Sequence, residues 1–172
     1  MNAIGSRFNF NKDLVLKAGL MLADIGNVGF KVANFTHENM ATLESKWKGI
    51  RKALVLVTHL LSSFGFNGQV LRADSAMLPI AYYLYVRKFG DSYLTDNKYL
   101  SDRQEIKQWL VKTLLKSSGI WGSGLDTFLG RLRDIVKNHG NLGFPAIEIR
   151  AEMNKSGKSL TFETEEIVDL LD

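Results

Sequence analysis

The chain has 172 residues, of which 45% are hydrophobic and 23% charged, and these ordinary globular values exclude wholesale disorder. Cysteine is absent, which excludes disulfides and thiolate metal sites and fits a reducing cytoplasm, and no apolar run approaches the roughly 18 residues of a membrane span. The net charge of +4 permits nucleic-acid contact without requiring it.

The first third of the chain predicts two helices. Asn11 is a suitable N-cap for a helix that runs to about Ile25 and is apolar on most sides. Thr36 is a suitable N-cap for the second helix, and Gly65 supplies its end. One apolar stripe with spacings of three and four runs along this second helix: Met40, Leu43, Trp47, Ile50, Leu54, Val57, Leu61 and Phe64.

The middle of the chain predicts two more helices around a polar loop. Asp74 or Ser75 opens a third helix that ends near Phe89. Pro79 inside it is tolerated only if helical hydrogen bonding starts close to it or the helix kinks. Residues 91–100 are predicted to be the loop. Ser101 and Gln104 then match a capping box, and the inward residues of this fourth helix are Ile106, Trp109, Leu110 and Leu114.

The last third predicts a fifth helix capped by Ser123 and ended by Gly140, and a short sixth helix from Pro145 to about Met153. Residues 154–158 are predicted to be a flexible turn. Thr164, Glu165 and Glu166 indicate the start of one more helix, and the chain stops inside that pattern, which indicates a boundary in a longer protein. Residues 30–35 and 159–162 could form at most a minor hairpin.

These elements predict an all-α fold, an irregular bundle of about six or seven helices. We expect the helical domain to span residues 1–153, and residues 154–172 to be a linker and the start of a helix that leads to a missing C-terminal domain. The first helix and the Pro79 helix should be the most buried. Trp47 and Trp109 should anchor the core.

No constellation of catalytic, cofactor-binding or metal-binding residues is evident, and we predict none in this chain. The three histidines, His37, His59 and His139, have no metal-ligand spacing and are interpreted as helix-surface or helix-end residues. The acid pairs Glu165–Glu166 and Asp126–Asp134 do not point to acid–base work. Gly122, Ser123 and Gly124 form a turn and not a phosphate loop, because the preceding strand and the Lys-Ser or Lys-Thr pair are missing.

Two basic groups allow two interpretations. The groups are Lys46, Lys48, Arg51 and Lys52 on the second helix, and Arg131, Arg133 and Lys137 on the fifth. As solvated helix faces they need no function. As DNA phosphate contacts they would give salt-dependent, sequence-independent affinity. The N-terminus of the fifth helix could also hold a phosphate if Arg131 or Arg133 lay near it.

Several segments resemble one family when taken in order. Residues 8–17 (FNFNKDLVLK), residues 47–50 (WKGI) and residues 71–83 (LRADSAMLPIAYY) resemble helix phrases of the GmrSD-type restriction endonuclease family. Residues 106–110 (IKQWL), residues 130–133 (GRLR) and residues 162–171 continue the match. The resemblance covers nearly the whole chain, through phrases that pack helices together.

The resemblance implies that this chain is the middle helical region of a three-part protein. The family carries nucleotide hydrolysis in an N-terminal ParB-like domain and DNA cleavage in a C-terminal HNH-type nuclease domain. Such proteins act in restriction and antiviral defence against modified foreign DNA. Neither the D-G-Q-Q/R-R-type motif of the first domain nor the D-H-x-x-P-type motif of the second occurs in this sequence, so the resemblance carries no catalytic residue over to it.

The leading hypothesis is therefore a cytoplasmic helical scaffold of a prokaryotic DNA-targeting nuclease, whose partners are the flanking nuclease domains of its own chain and DNA. The alternative is a stand-alone protein-interaction module without a nucleic-acid role, which predicts an exposed apolar patch and self-association. A second alternative is an enzyme, which would need a deep pocket with convergent polar groups and perturbed titration. A single cavity lined by Tyr82, Tyr83 and His59 would support it.

Overall fold

The computed structural model describes residues 8, 10–26, 28–29, 31–68, 71, 73–116, 119–164 and 167. Over these residues the chain forms seven α-helices and three short 3-10 helices, and no strand. The predicted irregular all-α bundle is confirmed. The helices are α1 (Lys12–Leu22), α2 (His37–Ser63), α3 (Met77–Val86), α4 (Ser92–Thr95), α5 (Leu100–Leu115), α6 (Leu125–His139) and α7 (Ala146–Lys155).

The first two helices begin at the predicted caps. Asn11 Oδ1 accepts a hydrogen bond from the Leu14 N–H at 2.8 Å, and Thr36 Oγ1 accepts one from the Asn39 N–H at 3.2 Å. Each cap satisfies a first-turn N–H that has no partner within its helix. Gly65 follows the end of α2 with a φ of +93°, a left-handed conformation that favours glycine.

The apolar stripe of α2 enters the core only in its second half. Ile50, Leu54, Val57 and Leu61 are buried, whereas Trp47 is only partly buried, so its prediction as a core anchor is wrong. The reason is length, because α2 has 27 residues and extends about 40 Å, whereas its main partner α3 has ten. The first half of α2 therefore projects beyond the helix that buries its second half.

The central helix is α3, which contacts α1, α2 and α6 and is buried at every residue from Met77 to Leu84. Pro79 is its third residue, so the missing N–H falls in the first turn, where an intrahelical bond is not formed anyway. Helical hydrogen bonding therefore starts close to Pro79, which is the first of the two predicted alternatives. The helix ends at Val86, before the predicted Phe89.

Residues 91–100 are not the polar loop that the sequence suggested. They contain α4 and a 3-10 helix, and Tyr93 is fully buried and stacks on Phe89 with ring centroids 4.4 Å apart. The capping box is also absent, because α5 begins at Leu100 and Ser101 already lies inside its first turn. Trp109 on α5 is 2% exposed, which confirms it as a core anchor.

Asp102 joins three segments through one carboxylate. Its Oδ2 accepts hydrogen bonds from the hydroxyls of Tyr83 at 2.8 Å and Tyr93 at 2.6 Å, and its Oδ1 accepts one from the Phe144 N–H at 2.7 Å. These partners come from α3, α4 and the segment before α7. Both tyrosines are almost fully buried, so the carboxylate supplies the acceptor that their hydroxyls need away from water.

Buried tyrosines make the fold sensitive to alkali. Burial, and then a hydrogen bond to Asp24 or Asp102, raises the pKa values of Tyr82, Tyr83 and Tyr93 well above their usual range. A raised pKa means that the folded state keeps phenolic protons that the unfolded chain loses above about pH 10. The stability from each tyrosine is therefore complete below about pH 10 and is lost as the pH rises, by up to about 1.4 kcal/mol per pH unit.

We expect urea unfolding midpoints to fall steeply between about pH 10 and 12, and tyrosinate absorbance at about 295 nm to appear together with the loss of helical circular dichroism. Tyr93→Phe should make this fall less steep, because it removes one of the titrating groups. Ionisation of all five tyrosines near pH 10 in a protein that keeps its helical signal would contradict this account.

The C-terminal third departs from the predicted boundaries in one respect that matters for the site. The N-cap of α6 is Gly124 and not Ser123, and no side chain caps this helix. Gly140 ends α6 as predicted. The predicted sixth helix is α7, which follows Pro145 and continues to Lys155, past the predicted end near Met153.

The minor hairpin that the sequence left open does not form among the described residues, since residues 32–34 form a 3-10 helix and residues 159–162 are irregular. Of the predicted last helix, Thr164 and Ile167 are helical, whereas Glu165, Glu166 and residues 168–172 lie outside the described residues. In the described part of the chain, none of the helices combines the length and the apolar character needed to cross a bilayer.

Candidate functional site

The two basic groups predicted from the sequence are divided by the fold. Lys46 on α2 donates from Nζ to the Ala23 carbonyl at 2.8 Å, and Arg133 on α6 donates from Nη1 to the Ile25 carbonyl at 2.7 Å. These carbonyls follow the end of α1, where the helix dipole favours positive charge. Both cations therefore hold the end of α1 in place.

The prediction that Arg133 contacts a DNA phosphate is wrong, because Arg133 is a buried structural residue. It is 8% exposed, its Nη2 donates to the Gly26 carbonyl at 3.4 Å, and its Nε donates to Asp134 at 3.3 Å. Lys137 lies nearby and forms an exposed ion pair with Asp24 at 3.4 Å. The guanidinium of Arg133 is thus turned inward and cannot reach a nucleic acid.

The rest of the α2 group lies on another side of the helix. Lys48 and Arg51 are exposed, and no hydrogen bond or ion pair joins either side chain to another described residue. Lys52 borders a groove between α2 and α3. At about 100° per residue, Lys48, Arg51 and Lys52 share a face that Lys46 does not.

Arg131 lies in a different place, a cleft at the N-terminus of α6. We call this the α6 cleft. It has a volume of about 450 Å³. Its lining residues come from the turn before α6, from α6 itself and from the end of α7: Ser123, Gly124, Thr127, Phe128, Arg131, Lys155, Ser156 and Lys158.

Two left-handed glycines build the α6 cleft. Gly124, with a φ of +69°, turns the chain into α6 and leaves the first-turn N–H groups without a side-chain cap. Gly157, with a φ of +68°, ends α7, where the Lys158 N–H donates to the Met153 carbonyl at 2.8 Å. This turn directs Lys158 back toward the start of α6.

Lys158 is fixed at the edge of the α6 cleft. Its Nζ donates to the Ile120 carbonyl at 2.7 Å and to the Ser123 carbonyl at 3.3 Å, and it lies 5.3 Å from the centroid of the Phe128 ring. Lys155, in the last turn of α7, is exposed, and no described side chain pairs with it. One lysine is therefore held in place while the other can move to meet a ligand.

Arg131 is partly engaged within the protein. Its Nη1 donates to Glu152 Oε1 at 3.0 Å and to Ser156 Oγ at 3.1 Å, and its side chain is 54% exposed. A guanidinium has about five N–H donors, so several remain for a ligand. The hydrogen bond from Arg131 lowers the pKa of Glu152, which therefore stays ionised at neutral pH.

The α6 cleft carries a net positive charge. Its described lining includes three cations, Arg131, Lys155 and Lys158, and the carboxylate of Glu152 lies beside it, bound to Arg131. The other acid near the start of α6, Asp126, is paired with Lys17 of α1 at 2.5 Å. Positive side chains and the N-terminal end of a helix dipole both favour an anion such as a phosphate group.

Sequence reasoning identified Arg131 and the helix N-terminus but missed Lys155 and Lys158. The segment 154–158 was predicted to be a flexible turn, whereas its lysines lie against the start of α6. The available signal was Gly157, two residues after a helix with a basic last turn, a common helix-ending pattern. That pattern predicts a reversal of the chain, but not which helix the reversed chain meets.

The residues considered for metal binding or catalysis do not form a cluster in the described part of the chain. His37, His59 and His139 are exposed, and the described residues contain no group of three acidic or histidine side chains that could hold a metal ion. His59 is exposed, whereas Tyr82 and Tyr83 are buried and their hydroxyls donate to different carboxylates, Asp24 and Asp102.

The chain matches no protein-family model and no curated protein. The resemblance to the GmrSD-type family stays a prediction from the sequence phrases alone.

Proposed function

We propose that this chain is a helical scaffold domain of a prokaryotic DNA-targeting nuclease, and that it contacts DNA phosphates through the α6 cleft. The observation that carries the proposal is the convergence of Arg131, Lys155 and Lys158 on a helix N-terminus that has no side-chain cap. The enzymatic steps of restriction or antiviral defence would reside in flanking domains, with the whole protein in the cytoplasm.

The cationic side chains of the α6 cleft are suited to bind the phosphate groups of DNA. Ammonium and guanidinium groups recognise the charged backbone, which is the same for every sequence. Phe128, the aromatic ring of the cleft, is 3% exposed and lies beneath Lys158, so its face is not open for stacking on a base. The proposed contact therefore positions DNA without reading its sequence.

The scaffold part of the proposal is supported by the way the helices are joined. Arg133 and Lys46 bind the end of α1 to α6 and α2, and Asp102 joins α3, α4 and the segment before α7. Polar groups that are mutually satisfied in this way specify one arrangement of the helices. Such a body would hold flanking domains at a fixed separation.

We expect the protein to bind a duplex of about 20 base pairs at low salt, and Arg131→Gln and Lys155→Gln each to weaken this binding by roughly threefold to fivefold, as for loss of one exposed ionic contact. Fluorescence anisotropy with a labelled duplex measures the affinity. Lys112→Gln on the exposed side of α5 is the matched control and should bind as the unchanged protein does.

Absence of binding at low salt, or an equal loss in Lys112→Gln and Lys155→Gln, would overturn the proposed contact. Scrambling the duplex sequence should leave the affinity unchanged, because the contact is to phosphates.

A stand-alone interaction module is the second candidate, and two exposed apolar side chains favour it. Leu142 is fully exposed and Ile147, at the start of α7, is 73% exposed. This candidate predicts self-association that Leu142→Asp abolishes, which light scattering after gel filtration would measure.

A further inference from the structure

A second concave site lies between α2 and the end of α3, separate from the α6 cleft and sharing no residue with it. We call it the α2–α3 groove. Its volume is about 340 Å³, within the range of small-molecule sites. Gly49 of α2 leaves room for the Tyr85 ring, since a Cβ atom there would lie 3.1 Å from Tyr85 Cε2.

The floor of the groove is apolar. Ala53 and Leu84 are buried, and Val86 and Phe89 are partly buried beside them. Phe89 is held in place from below by stacking on Tyr93 with ring centroids 4.4 Å apart. An apolar or aromatic group of about this size would lose its contact with water on such a floor.

Two ammonium groups border the floor. Lys52 and Lys88 line the groove, and neither side chain forms a hydrogen bond or ion pair with another described residue. Lys52 Nζ lies 3.6 Å from the position that a Cβ atom on Gly90 would take, over the exit of α3. The described lining contains no carboxylate, so its charge is left for an anion to neutralise.

The backbone places Lys88 here at a steric cost. Its φ is +53°, and it occupies the left-handed position of a helix-ending motif in which the Lys88 N–H donates to the Tyr85 carbonyl at 3.0 Å and the Phe89 N–H to the Leu84 carbonyl at 3.1 Å. Glycine is the usual residue at this position, because the Cβ atom of any other residue is crowded there. Strain of this kind is typical of functional positions.

We propose that the α2–α3 groove binds a small amphipathic anion, a carboxylate or phosphate attached to an aromatic ring, with Lys52 and Lys88 holding the anion and the ring lying on the floor between Ala53 and Phe89. Charge complementarity and the apolar floor both point to this class of ligand. The site is independent of DNA binding by the α6 cleft.

The test uses 2-naphthoate as the probe and its neutral isostere 2-naphthamide, with binding followed by chemical-shift changes in the ¹⁵N-labelled protein. We expect saturable binding of 2-naphthoate with shifts centred on Lys52 and Phe89, and binding of 2-naphthamide that is weaker by about fivefold or more. Lys88→Gly should weaken binding of 2-naphthoate by a similar factor. The same variant should raise the melting temperature, since it relieves the left-handed lysine, so a loss of binding is not a loss of folding.

Lys155→Gln is the control for site identity and should bind 2-naphthoate as the unchanged protein does. Equal binding of the acid and the amide, no binding of either, or unchanged affinity in Lys88→Gly would each overturn the proposal. Lys88→Gly leaves the α6 cleft intact. The groove proposal and the DNA contact are therefore tested with different variants, and either can fail without the other.

Discussion

Asp102→Ala should lower the free energy of unfolding by about 3 to 5 kcal/mol, the largest effect we expect from a single substitution. The change leaves the hydroxyls of Tyr83 and Tyr93 and the N–H of Phe144 without their acceptor. A buried donor without a partner costs about 1 to 3 kcal/mol, and partial entry of water into the space left by the carboxylate reduces the total. Urea denaturation at neutral pH measures the effect.

The control for Asp102 is Asp91→Ala, which removes an exposed carboxylate for which no side-chain hydrogen bond is described. It should change stability by less than about 0.5 kcal/mol. A second check repeats Asp102→Ala in a protein that also carries Tyr83→Phe and Tyr93→Phe. The cost should be smaller there, because both hydroxyl donors are gone. A loss below about 1 kcal/mol in the single variant would show that Asp102 does not join these segments.

Arg133→Met should lower the free energy of unfolding by about 2 to 3 kcal/mol. Methionine retains an apolar side chain but removes the donors that satisfy the Ile25 and Gly26 carbonyls, and hydrogen bonds from a charged donor contribute about 1.5 to 3 kcal/mol. Arg133→Lys should restore the stability only in part, because one ammonium cannot reproduce the geometry of a guanidinium.

The matched control for Arg133 is Arg131→Met, two residues earlier on α6. Its exposed ion pair with Glu152 should contribute no more than about 1 kcal/mol. Equal losses of stability in the two variants, measured by urea denaturation, would contradict the assignment of Arg133 to the interior.

Local sequence signals predicted the helices well where the start or the buried face of a helix depends only on residues of that helix. The N-caps Asn11 and Thr36 act within one turn of their own helices, and the stripe of α2 depends only on helical spacing. Pro79 could be placed in a first turn on the same grounds.

The predictions are wrong where the burial of a residue depends on contacts with distant parts of the chain. Tyr93 sits among polar residues in the sequence, yet it is buried through Phe89 and Asp102. Trp47 follows the periodicity of a core residue but lies on the half of α2 that extends past α3. Neither contact can be deduced from the spacing of residues along one helix.

The same reason explains why only part of the candidate site was predicted. Arg131 and Arg133 are separated by one residue and thus point about 200° apart around α6, toward different neighbours. The sequence identifies both as basic but does not say that α1 lies on one side and α7 on the other. Lys155 and Lys158 belong to the site only because Gly157 turns the chain toward α6.

The central claim, phosphate contact by the α6 cleft, is tested most directly by the salt dependence of DNA binding. The slope of the logarithm of the binding constant against the logarithm of salt concentration counts the phosphates neutralised, at about 0.9 per phosphate in duplex DNA. We predict that the double variant Arg131→Gln, Lys155→Gln has a slope shallower by about two than that of the unchanged protein. An identical slope in the two proteins would contradict the account.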